Sequence, residues 1–106
     1  MFSLKNRVGK KIFAEVMKGR SIHSPIGSLR FIKNASDRKF SAVVSKKSYS
    51  KAVDRNKLKR RARAIARPAL FKSPPGSYIL FLKKGALEIS FKELEKEIQN
   101  LFSKIK

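Results

Sequence analysis

The sequence predicts an α+β domain, a small α/β sandwich whose elements run helix, strand, strand, helix, strand, helix. Three observations carry this prediction. Apolar residues recur at three- and four-residue steps in three separate segments, the period of a helix with one buried face. Between them lie short runs rich in Phe, Ile, Val, Tyr and Leu, bounded by Gly, Pro, Ser and Asn. Finally, 42% of the 106 residues are hydrophobic, enough for one core. No repeat, low-complexity block or linker divides the chain, so residues 1–106 read as a single domain.

The first helix is expected over residues 8–18, where Val8, Ile12 and Val16 step by four with Phe13 and Met17 beside them. Gly19 is placed as its stop, and Ser24, Pro25 and Gly27 mark a loop. Strands are expected over 29–33 and 40–45, joined as a hairpin by the polar stretch 34–38. Their alternation is imperfect, since Phe31-Ile32 and Val43-Val44 are apolar pairs. Strands of that kind are contacted on both faces, or belong to a sheet whose second face has a use.

The second helix is expected to begin near Asp54 or Arg55, with Asp54 as N-cap, its charge matched to the positive helix end. Leu58, Ala62, Ile65 and Ala69 fall on one stripe, and Asn56, Lys59, Arg60, Arg63 and Arg67 on the opposite face. Pro68 is expected to end or kink this helix near Ala66. Pro74-Pro75-Gly76 is a turn, and 78–82 a strand leaving through Lys83-Lys84-Gly85. Ser90-Phe91-Lys92-Glu93 fits a capping box, in which Ser and Glu satisfy each other's orphan backbone donors. The helix it opens has Phe91, Leu94, Ile98, Leu101, Phe102 and Ile105 on one apolar stripe.

Charge points to a partner. Twenty-seven Lys and Arg against seven Asp and Glu give +20. The run from Ser45 to Arg63 holds nine cations against the carboxylate of Asp54. Such self-repulsion costs stability until counter-charge arrives, and the polyanion expected is nucleic acid. No long apolar run is present to span or anchor in a membrane, and the first residues lack the apolar stretch of a secretory signal, so cytoplasmic residence is expected. The absence of cysteine removes disulfides, thiolate zinc sites and cysteine nucleophiles. The one histidine, His23, sits in a Ser/Pro-rich stretch and reads as an ordinary loop residue. Glu88, Glu93, Glu95 and Glu97 lie in or near the last helix and read as a solvated face. No catalytic constellation, metal site or Gly-rich phosphate loop is expected.

What the residues do offer is a binding surface. Arg55, Lys59, Arg60 and Arg63 can each contact a phosphate, with Asn56 among them, and Arg also forks onto phosphates and stacks on bases. Phe13 lies on a Lys-rich helix, and Phe31 on a strand between Arg30 and Lys33. Aromatic platforms interleaved with basic groups bind single-stranded RNA, while core packing is the ordinary fate of either ring.

The segment Ser45-Lys46-Lys47, then Ala52-Val53-Asp54-Arg55-Asn56-Lys57-Leu58-Lys59-Arg60-Arg61-Ala62-Arg63, resembles the signature of the bacterial ribonuclease P protein subunit. That family carries V-S-K-K at a strand end and A-V-x-R-N-x-x-K-R-x-x-R entering a helix. Leu4-Lys5, Phe13, Val16 and Gly19 fit its opening helix, and Pro75-Gly76-Ser77-Tyr78 and Ser90-Phe91 fit its end. The resemblance implies a left-handed strand–helix–strand crossover, a departure from the usual hand. It implies a partnership with ribonuclease P RNA and precursor tRNA, and none with DNA. The RNA, with Mg2+, would hydrolyse the phosphodiester and free the 5′ leader; the protein itself would hold no cofactor. Arg55, Asn56, Lys57, Lys59, Arg60 and Arg63 would face RNA, with Lys46 and Lys47 as further phosphate contacts. Phe13, Met17 and Phe31 would line a leader cleft between the first helix and the sheet. Two positions depart from the family: Lys57 stands where Arg is common, and keeps charge without the bidentate fork. Met17 stands where a second aromatic is common. The rival is a ribosomal protein that binds structured RNA and assists no reaction.

Overall fold

The computed structural model describes residues 10–33 and 38–105. Within them the order is α1 (Lys10–Met17), β1 (Arg20–Ser24), β2 (Gly27–Lys33), β3 (Arg38–Val44), α2 (Ala52–Lys72), β4 (Gly76–Leu82) and α3 (Phe91–Ser103). The four strands form one sheet ordered β1-β2-β4-β3. β2 runs antiparallel to β1 and to β4, while β3 runs parallel to β4. The predicted sandwich of helices on a small sheet is present, with one strand more than expected. Among the described residues no helix is long and apolar enough to cross a membrane.

The extra strand is β1. It lies where a loop was expected, and it places His23 in a strand. Arg20-Ser21-Ile22-His23-Ser24 offers one large apolar side chain, because an edge strand pairs on one side and stays mostly exposed. The second correction is the pairing of β2 and β3. They are not hairpin partners, because β4 lies between them; residues 34–37 of the expected connection lie outside the described residues. Gly-Ser-Tyr-Ile-Leu-Phe-Leu is nearly continuously buried, and such a strand must sit centrally, covered on both faces. β3 then reaches β4 through α2, a strand–helix–strand crossover.

The sheet's two faces differ. Leu29 and Phe31, Phe40, Ala42 and Val44, and Tyr78, Leu80 and Leu82 join Leu58, Ala62, Ile65, Ala66 and Leu70 of α2 and Leu94, Ile98, Leu101 and Phe102 of α3 in one core. Each Leu, Ile, Val or Phe side chain among them, fully buried, stabilises by roughly 1.5–3 kcal/mol. On the other face the register aligns Ser28–Phe81–Val43, Arg30–Ile79–Ser41 and Ile32–Ser77–Lys39 across β2, β4 and β3. This is the two-faced sheet that the apolar pairs predicted.

The helices differ in detail from expectation. α2 begins at Ala52, with Lys51 at the N-cap position and no side-chain cap; Asp54 lies inside the first turn, where its charge still suits the helix end. Pro68 does not end it. The helix continues to Lys72, because the carbonyl that loses its donor belongs to Ala64, on the exposed side, and Leu70 is still buried beyond it. Ser73 closes this end, its Oγ donating to Ala69 O at 2.8 Å, while Arg38 Nε donates to Ser73 O at 3.0 Å. α3 starts where predicted, with Ser90 Oγ accepting from Glu93 N–H, the serine half of the expected capping box. Phe91, expected on its buried stripe, is 46% exposed because it precedes the first turn that meets the core. The expected N-terminal residues of α1, Val8 and Gly9, lie outside the described residues, as do Leu4 and Lys5.

Candidate nucleic-acid interface

At 100° per residue, Asn56, Lys59, Arg60, Arg63 and Arg67 fall within one sector of α2, opposite the buried stripe. Asn56, Lys59, Arg60 and Arg63 line a shallow depression of about 270 Å³. Three cations around one polar amide suit a phosphate or a base edge. Arg55 and Lys57 were predicted with this group but lie to either side of it. Lys57 is exposed about a quarter-turn away. Arg55 is half-buried, and its Nη1 donates to Tyr49 O at 2.9 Å and Ser50 O at 2.8 Å. Lys46 and Lys47 are exposed on the connection between β3 and α2, which Arg55 thus holds.

On the other face of the sheet α1 stands on β2 and β4 and leaves the adjoining β3 half-exposed, so the flank of the helix and the strand beside it form the two sides of a groove. α1 packs across β2 and β4, burying Val16 and Ile79 completely. Phe13 meets Phe81 edge-to-face, with ring centroids 6.2 Å apart. Met17 is 38% exposed at the end of the helix. Beyond the helix, Lys39, Ser41 and Val43 of β3 are half-exposed, so a floor of mixed apolar and cationic character continues past the two rings. Two features set the position of α1. Arg30 Nη1 donates to Met17 O at 2.9 Å, satisfying an orphan carbonyl of the helix end. At Gly19, a Cβ would lie 2.4 Å from Phe31 O, so the chain turns tightly against β2 only without a side chain. Close approach, and not a left-handed stop, is the reason for this glycine.

Phe31 is not part of that groove. Its side chain points to the core face, 3% exposed, and stacks on Tyr78 with centroids 5.7 Å apart. The expectation that it lines a leader cleft is corrected: a strand's alternation puts Phe31 and its neighbour Ile32 on opposite faces. The aromatic that shares the groove with Phe13 is Phe81, which sequence reading left unassigned within an apolar strand.

The titratable groups are arranged for structure. Tyr78 donates to Pro74 O, and its phenol is pushed up by burial, against the pull of Arg38. His23 Nε2 is 3.3 Å from Ser21 Oγ on the exposed edge strand. Among the described residues no three His, Cys, Asp or Glu gather to hold a metal ion.

Comparisons with known proteins identify the family. The ribonuclease P family model matches residues 4–106. A ribonuclease P protein component from Xylella fastidiosa is 28% identical over 88 residues, 83% of this chain and 65% of that protein. Another, from Mycoplasma genitalium, is 28% identical over 99 residues, 92% of this chain and 77% of that protein. The chain therefore spans about two-thirds of the length of the Xylella relative. The ribonuclease P protein from Thermotoga maritima superposes with a TM-score of 0.83 at 29% identity, covering 94% of this chain and 97% of that one. With the family model spanning nearly its whole length, the chain belongs to the ribonuclease P protein family.

Proposed function

We propose that this chain is the protein subunit of a bacterial-type ribonuclease P, acting in the cytoplasm. It binds the catalytic RNA through the outer face of α2 and cradles the single-stranded 5′ leader of precursor tRNA in the groove beside α1. The observation that carries this reading is the cationic depression of Asn56, Lys59, Arg60 and Arg63, formed by residues of the sequence signature itself. The groove supports it, since rings beside cations suit unpaired bases and their phosphates. Hydrolysis is assigned to the RNA with its Mg2+. This chain brings one histidine, no cysteine and seven acids among 27 cations, and its role is to neutralise phosphate and orient the substrate.

The test is reconstitution with a bacterial ribonuclease P RNA and a precursor tRNA at low Mg2+. The protein should restore cleavage at the mature 5′ end and should cut nothing when the RNA is left out. Cleavage by protein alone, or binding to the RNA with no gain in cleavage, would overturn the reading.

A further inference from the structure

β3 and β4 are parallel and in register from Arg38↔Gly76 to Val44↔Leu82, so the connections that follow them leave the same end of the sheet side by side. Each carries a pair of exposed lysines, Lys46 and Lys47 on one, Lys83 and Lys84 on the other. Four like charges in neighbouring loops favour splaying them apart. Tyr49 stands between the loops. Its ring is buried in the main core, and its hydroxyl uses its whole hydrogen-bonding capacity on the second loop. Tyr49 Oη donates to Glu88 Oε2 at 2.6 Å and accepts from Gly85 N–H and Leu87 N–H, each at 3.0 Å. Gly85 reaches this geometry at φ +104°, a conformation glycine adopts readily. From the other side Arg55, in the first turn of α2, grips the carbonyls of Tyr49 and Ser50. The connection's own turn, with Tyr49 N–H and Ser48 N–H donating to Ser45 O at 3.1 and 3.2 Å, completes the enclosure.

We propose that Tyr49, Glu88 and Arg55 form a latch that holds the two lysine-bearing loops in one arrangement, and that Arg55 serves RNA binding through this latch as a positioning residue and does not itself contact phosphate. Arg55 differs in this from Lys59, Arg60 and Arg63, which share its helix. The proposal rests on the reading that Lys46 and Lys47 contact RNA, and it adds to that reading the residues that preorganise them.

The experiment uses the full chain with a bacterial ribonuclease P RNA. Tyr49→Phe keeps the buried ring and removes the hydroxyl; it should weaken RNA binding about fivefold to tenfold, the loss expected for a hydrogen-bonded node. The log–log salt slope should stay unchanged in Tyr49→Phe and in Arg55→Ala, because neither removes a phosphate contact, while Arg60→Ala lowers it by about one. In a Lys46→Ala/Lys47→Ala background Tyr49→Phe should cost nothing further, since the latch acts through those lysines; a purely structural role would add in full. Glu88→Ala, at an exposed side chain, provides the same break should Tyr49→Phe fail to fold. In the free protein, Tyr49→Phe should speed hydrogen exchange at the Gly85 and Leu87 amides. Unchanged exchange, additive losses, or a slope lowered by Arg55→Ala would each overturn the latch. A wild-type protein that assembles with no RNA would overturn the functional reading beneath it, and the exchange data tell the two failures apart.

Discussion

Tyr49 and Glu88 are shifted in opposite directions, and one hydrogen bond contributes to both shifts. The Tyr49 phenol is pushed up from 10.0, by burial first and then by its bond to Glu88, while the Glu88 carboxyl is pulled below 4.5, first of all by that same bond. Both shifts favour a neutral phenol beside an ionised carboxylate. The Glu88 contribution to stability is therefore present above its unfolded pKa and is lost as pH falls through the lowered folded value. The Tyr49 contribution is present below its unfolded pKa and lost as pH rises through the raised one. The pair should hold through the range between them. In Tyr49→Phe the Glu88 carboxyl should titrate closer to its ordinary value, read from its side-chain carbon resonance; an unmoved midpoint would mean the bond is not maintained in solution. Ser77 presents the reverse situation. It is fully buried, and its Oγ has no partner among the described residues. A hydroxyl desolvated without a bond costs about 1–3 kcal/mol, so Ser77→Ala should leave the chain as stable or more so, by up to about 1 kcal/mol. Urea denaturation showing a clear loss for Ser77→Ala would require a partner for that hydroxyl.

Each element was legible to the degree that its own residues bury it. α3 could be read from its capping serine and its stripe, and the core face of α2 from Leu58, Ala62 and Ile65, because a helix carries its burial in its period. The outer face of α2 was legible for the same reason, and Asn56, Lys59, Arg60 and Arg63 do meet. β1 was not legible, since an edge strand needs little apolar content to pair. The order of the strands was hidden as well, because it is decided by which strand must be covered twice. With the order hidden, nothing local could say which face Phe31 would take, and the distribution of aromatics between core and groove followed only from the register. Two expectations test that distribution. Phe31→Ala should cost roughly 3–5 kcal/mol of folding stability, as a buried ring does. Phe13→Ala and Phe81→Ala should weaken precursor tRNA binding to the holoenzyme by on the order of 1–3 kcal/mol for each unstacked base, with mature tRNA little affected. Equal losses for both tRNAs would remove the groove from leader binding. On α2, Arg60→Ala should lower the salt slope of RNA binding more than Lys57→Ala does, because Lys57 lies outside the depression.

At the scale of the whole molecule, a net charge of +20 is gathered on a body whose radius of gyration is 12.8 Å. Every cation lies close to many others, and the folded chain holds them nearer together than the unfolded chain would. The repulsion therefore weighs against folding. Salt acts on this through screening, since the Debye length shrinks from about 30 Å at 0.01 M to about 10 Å at 0.1 M ionic strength, from longer than the molecule's radius to slightly shorter. The same salt opposes RNA binding, because an RNA already surrounded by cations gains less by releasing them. One charge distribution thus predicts two dependences of opposite sign. The thermal midpoint of the free protein should rise between about 10 and 100 mM sodium chloride as repulsion is screened. The affinity for ribonuclease P RNA should fall over that interval, by about one log unit per log unit of salt for each phosphate neutralised. Bound RNA supplies the missing counter-charge, so in the complex the midpoint should lie higher at low salt and decline as salt is added, the reverse of the free chain. Parallel melting of protein and complex across one salt series is sufficient to measure this. A free-protein midpoint that is flat or falling would show that the seven acids already compensate the charge locally, and that RNA is not needed to relieve it.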